Sequence, residues 1–143
     1  MKRLAFLCLV LAGCDALPRD PDGTLDRITA SRRLVVGFAA PPTPKAEKLV
    51  EEIARKTGAA VTQRRGSLEP LIADLDAGRV DLVLTELSQR SPWKTLVAPG
   101  PALATRAAGD EQIELRALMK NGENRWIVLV ERASRTIAPD TAQ

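Results

Sequence analysis

No histidine and no tyrosine occur anywhere in the 143 residues. A histidine-based nucleophilic triad and a histidine-ligated metal site are therefore excluded. Aromatic side chains are scarce, the whole set being Phe6, Phe38, Trp93 and Trp126, so stacking on a ligand has few sources. Cysteine is nearly absent: Cys8 and Cys14 both fall near the N-terminus, and the rest of the chain can form no disulfide in any redox compartment. Charge of one sign does not dominate, with 21 basic residues against 18 acidic, which speaks against a nucleic-acid surface. A phosphate-cradling glycine loop is missing too, because Gly58 and Gly78 sit where helical patterns end. The apolar run at residues 4–12 is too short to cross a bilayer as a helix.

What is present starts with that run. Lys2 and Arg3 precede it, and its length suits the core of a signal peptide. It ends Leu11-Ala12-Gly13-Cys14, which resembles the lipobox of bacterial lipoproteins, where small residues fit the signal peptidase and the cysteine thiol is acylated before cleavage. The resemblance implies that Cys14 is the lipidation site and the first mature residue. Several acyl chains would then hold the protein firmly at a membrane. Asp15 resembles the signal that retains such proteins in the inner membrane. The other reading of these residues is an ordinary secretory signal cut slightly later, with Cys14 left as a free thiol. Removing residues 1–13 leaves 130, with 19 basic against 18 acidic side chains, enough for one nearly neutral domain with a core. Residues 14–24 contain Pro18, Pro21 and Gly23 among aspartates and read as a tether, 25–137 as a single lobe and 138–143 as a polar tail.

Within the lobe, Leu34-Val-Val-Gly-Phe38 is apolar, β-branched and brief, a buried strand. Ala46, Leu49, Val50, Ile53 and Ala54 recur at helical spacing after Pro41-Pro42-Thr43-Pro44, and Gly58 closes that helix. A weaker strand at 59–63 follows. Leu68, Leu71, Ile72 and Leu75 mark a second helix, with Ser67 placed to cap it and Gly78 to end it. Val80-Asp-Leu-Val-Leu-Thr85 is the third strand. This order predicts an α/β fold: a βαβαβ parallel-sheet lobe. It is closed by a returning strand at 112–119, a turn at Asn121-Gly122 and a C-terminal helix at 123–135. On that helix Trp126, Ile127, Val130 and Ala133 share the face that packs on the sheet.

Gly23-Thr-Leu-Asp-Arg-Ile28 with Arg33-Leu-Val-Val-Gly37, Leu71-Ile-Ala-Asp-Leu75 with Gly78-Arg-Val-Asp81-Leu-Val, and Val97-Ala-Pro-Gly-Pro101 together resemble bacterial family 3 extracellular solute-binding proteins. These are the periplasmic receptors of amino-acid ABC importers. The similarity spans residues 23–103 and implies the first lobe of a two-lobed clamp. The second lobe is missing here: Thr105-Arg-Ala-Ala-Gly-Asp-Glu111 leads straight into the returning strand.

Ligands of open α/β sheets sit outside the carboxyl ends of the strands, which selects residues 38–42, 63–67 and 85–93. On the family pattern Thr85, Glu86 and Ser88 match polar positions after the third strand, and Arg90 lies near, but out of register with, the arginine that grips a ligand carboxylate. Phe38 and Trp93 are the aromatics available for stacking, since Ala40 stands where the family has one. The resemblance thus implies a periplasmic, membrane-anchored receptor for a small, amino-acid-like polar solute, bound weakly by half a cleft. A permease of the inner membrane or a second copy of the chain would be its partner. The alternative is an accessory lipoprotein that docks on a transporter or envelope complex without binding solute. No cofactor or metal is expected, and no catalysis: Asp81, the one carboxylate near Glu86 in sequence, resembles the family's structural aspartate.

Overall fold

A computed structural model describes residues 20–138. The signal segment at residues 1–13, Cys14, residues 15–19 of the tether and residues 139–143 of the tail lie outside them.

The first helix, α1 (Thr24–Ser31), has Gly23 at its N-cap and so no capping side chain of its own. Glu123 supplies the cap from the far end of the chain. Its fully buried carboxylate accepts the N–H groups of Asp22 and Thr24, each at 2.7 Å. Those donors would otherwise be orphaned at the helix start, so the contact ties the beginning of the domain to its end.

β1 (Arg33–Phe38) is buried along all but its first residue, as a central strand covered on both faces must be. In α2 (Pro44–Thr57) the Thr43 hydroxyl accepts the Ala46 N–H at 3.2 Å, Pro44 opens the first turn, and Ala46, Leu49, Val50 and Ile53 are buried. Gly58 ends it at φ 66, a left-handed conformation that costs a residue with a Cβ about 1 kcal/mol or more. β2 (Ala60–Arg65) is exposed throughout, because it is an edge strand with β1 as its neighbour. α3 (Leu68–Asp76) buries Leu71, Ile72 and Leu75. Then come β3 (Leu82–Ser88), a 3-10 turn at Pro92–Thr95, β4 (Ala98–Pro99), β5 (Ala104–Ala108), β6 (Glu111–Met119) and α4 (Asn124–Ile137).

β2, β1 and β3 are parallel neighbours, with Leu34 opposite Val61 and Gly37 opposite Val83. β6 returns antiparallel to β3, and β4 and β5 pair with its other edge. Alternation along the strands divides the core. Leu34, Val36, Phe38, Leu82, Leu84, Leu115 and Ala117 face α1, α2 and α4, where Trp126, Val130 and Ala133 meet them. Val35, Val83, Leu87 and Leu118 face α3. Each fully buried Val, Leu or Phe among them is worth about 1.5–3 kcal/mol of transfer free energy.

Two elements differ from the sequence expectation. The third strand starts at Leu82 and runs to Ser88, because β6 continues the ladder as far as Ser88 opposite Ile113. Asp81 is thereby left in the turn before the strand. β5 was not expected at all: Ala104-Thr-Arg-Ala-Ala108 has no apolar alternation, and it is a strand because β6 pairs with it. The β5–β6 hairpin turns at Gly109, whose φ of 60 suits glycine.

Candidate functional site

The carboxyl ends of β1, β2 and β3 gather residues 39–43, 66–67 and 89–95. Backbone bonds lock the first two loops to the sheet: the Ala39 N–H donates to the Leu84 carbonyl at 3.0 Å and the Gly66 N–H to the Phe38 carbonyl at 3.2 Å. Ala39, Leu68 and Trp93 pack together onto the α3-side core at these tips. Among the described residues no cluster of His, Cys, Asp and Glu could hold a metal.

The expected site residues divide by strand parity. Glu86 and Ser88 project from the α2 side of the sheet, in line with Leu82 and Leu84. Trp93 lies on the α3 side. Phe38 is a correction: only 3% exposed, it is part of the core under α2 and has no ring face for a ligand. Strand parity places it there, with Leu34 and Val36. Thr85 is likewise buried, its hydroxyl donating at 3.4 Å to the Glu86 carbonyl, so it presents nothing to a solute at the tips. Arg90 is exposed and carries no side-chain hydrogen bond or ion pair to the described residues.

Glu86 has a partner that sequence reading missed. The Arg106 guanidinium, on β5, donates to its carboxylate through Nη2 at 2.6 Å and Nε at 3.4 Å. This hydrogen bonding, assisted by the charge, holds the Glu86 carboxyl below its usual range, against a smaller opposing effect of desolvation.

On the α3 side, Glu114 of β6 organises a second network. Its nearly buried carboxylate accepts Arg116 Nε at 2.8 Å, Lys94 Nζ at 3.3 Å and Gln89 Nε2 at 3.4 Å. Arg116 Nη1 also donates to the Gly100 carbonyl, and Lys94 Nζ to the Gln89 carbonyl. The Arg116 hydrogen bond is the main cause of a lowered Glu114 pKa. This network pins residues 89–95, the loop bearing Arg90 and Trp93, to the sheet. Its sequence signal was Glu114-Leu-Arg116, charges alternating with the apolar Ile113, Leu115 and Ala117.

Asp81, set aside as structural, has that role. Its carboxylate accepts Arg27 Nη2 at 2.6 Å and the Val35 N–H at 2.8 Å, and its carbonyl accepts the Trp126 indole N–H at 2.9 Å. A recess of about 430 Å³ lies beside it, lined by Asp22, Arg27, Gly78 and Lys120, at the opposite end of the sheet from the strand tips.

No protein-family model matches the chain, and no curated protein does. Solved structures do. The arginine-bound form of domain 1 from TmArgBP aligns with a TM-score of 0.66 at 18% identity, covering 78% of this chain and 98% of that one. The ancestral amino acid-binding protein AncCDT-1, a precursor of cyclohexadienyl dehydratase, gives 0.68 at 12%, covering 82% and 94%. The substrate binding protein of an amino acid ABC transporter gives 0.61 at 11%, covering 73% and 92%. The fold is thus shared: this chain has the architecture of domain 1 of TmArgBP. Its structural neighbours are amino-acid-binding proteins, one of them a precursor of an enzyme, so activity has to be argued from residues rather than from the fold.

Proposed function

We propose that this chain is a single-lobe solute-binding lipoprotein that holds an amino-acid-like solute at the tips of β1 and β3, anchored in the periplasm through Cys14 and associated with an inner-membrane importer. The observation that carries the reading is the match along nearly the whole of TmArgBP domain 1, a lone lobe with arginine bound. Glu86 and Ser88 at the end of β3 and Arg90 on the next loop are the groups available for an ammonium and a carboxylate, and Trp93 borders the same strand tips from the α3 side. A single lobe covers about half of such a solute, whereas good sites bury roughly 70–90%. Affinity in the millimolar range, about −4 kcal/mol, is therefore expected unless a partner supplies the other wall.

The docking alternative draws support from the Glu86–Arg106 pair, which leaves the carboxylate already satisfied. NMR titration of the full chain in detergent with amino acids at tens of millimolar separates the two. Saturable shifts at Ser88, Arg90 and Trp93 are expected. Their absence for every amino acid, together with crosslinking to a permease, would leave the docking role standing. Anchoring has its own check: Cys14→Ser moves the protein out of the membrane fraction, and the wild-type mass begins at an acylated Cys14.

A further inference from the structure

We propose that Arg106 is a built-in competitor for the site, a guanidinium held on Glu86 that a cationic solute must displace. The inference rests on the solute-binding reading above and names the chemistry Glu86 selects. The register makes the juxtaposition specific. Ile113 of β6 faces Ser88 on one side and Arg106 on the other, so the three strands set Arg106 on the same sheet face as Glu86 and Ser88. Arg106 is the one long side chain of β5, standing among Ala104, Thr105, Ala107 and Ala108. Its fork approaches both carboxylate oxygens, the geometry that suits a guanidinium better than an ammonium.

The pair is open to exchange, since the Arg106 and Glu86 side chains are 58% and 36% exposed. Exposed ion pairs are weak, so Arg106 is displaceable rather than locked. The lobe thus carries its own stand-in for the cationic group of a solute. While Arg106 occupies Glu86, the apparent affinity for an incoming guanidinium is the intrinsic affinity multiplied by the fraction of molecules with Glu86 free. Arg90 carries no partner among the described residues and lies on the loop that follows β3, where it is available to a solute carboxylate. The favoured ligand class is a small zwitterion or cation bearing a guanidinium.

The test is an NMR titration of the full-length protein, as wild type, Arg106→Gln, Arg106→Lys and Glu86→Gln, with L-arginine, L-glutamine and guanidinium chloride. Arg106→Gln is expected to bind L-arginine and guanidinium roughly three- to fivefold tighter than wild type, the gain an exposed pair of this kind allows. Glu86→Gln should bind L-arginine no better than L-glutamine, and in the wild type the Arg106 Nε–H resonance should move on titration toward its position in Glu86→Gln. If the wild type binds amino acids but Arg106→Gln gains nothing for arginine, the competitor role is overturned while the binding site stands. If no variant responds to any of the three probes, both fall.

Discussion

Arg27 and Asp81 meet at 2.6 Å across the base of the sheet, joining α1 to the turn that launches β3. Asp81 is 1% exposed, and the same carboxylate also takes the buried Val35 N–H, so removing it leaves a guanidinium and a backbone donor unpaired at once. Asp81→Ala is expected to cost roughly 1–3 kcal/mol, chiefly through the orphaned Val35 N–H since Arg27 stays 42% exposed, and Asp81→Asn distinctly less, measured by urea unfolding. Equal, small losses would show that the pair does not organise the base of the lobe.

Glu123 makes a comparable link between chain ends. Glu123→Ala strips the acceptors from the N–H groups of Asp22 and Thr24 and is expected to destabilise by about 2–4 kcal/mol. Hydrogen exchange should rise first at Asp22 and Thr24, ahead of the sheet; uniform exchange across the domain would contradict the local role.

Ser134 is the reverse case. Its hydroxyl is fully buried on α4 and has no hydrogen-bond partner among the described residues. Ser134→Ala removes an unsatisfied polar atom at little cost in volume and should stabilise the protein by up to about 1 kcal/mol. A clear loss of stability would mean that the hydroxyl is satisfied in solution.

The Glu114 network predicts a fluorescence change. Trp126 is fully buried whereas Trp93 is half-buried on the loop that Lys94 and Gln89 fasten to Glu114. Glu114→Gln should raise acrylamide quenching, with the increase lost in a Trp93→Phe background. Unchanged quenching would remove Glu114 from the positioning of that loop.

The pH dependence of stability follows from four groups. Glu52, Glu86 and Glu114 have folded pKa values below their ordinary 4.5, so the stability they contribute is present above that value and is lost as pH falls below it through the folded values. Lys120 is raised above 10.5 by its hydrogen bond to Asp22, so its contribution is complete below 10.5 and is lost as pH rises through the folded value. With no histidine in the chain, unfolding free energy should be flat between about pH 5 and 9 and decline on both sides. A step near pH 6.5 in urea midpoints would contradict this.

The βαβαβ order was legible because its elements carry their signals locally. Leu34 to Phe38 is continuously apolar, the α2 stripe repeats at helical spacing, and Gly58 marks the stop. Asp81 was recognised as structural, although Arg27, Val35 and Trp126 as its partners depend on contacts 45 or more residues apart in sequence. At the tips legibility was poorer. Phe38 looked available because aromatics are few, yet strand parity turns it into the core under α2, and Thr85 is buried on the opposite face.

By itself the sequence determined the element order and the two faces of the main helices, since periodicity and caps are properties of neighbouring residues. The tertiary structure decided what stands at the strand tips. β5 has no pattern of its own and is a strand because β6 pairs with it, and that pairing alone carries Arg106 across twenty residues to Glu86. Charge partners brought together by register leave no mark on local composition, so the partner of Glu86 appears only when the sheet is assembled.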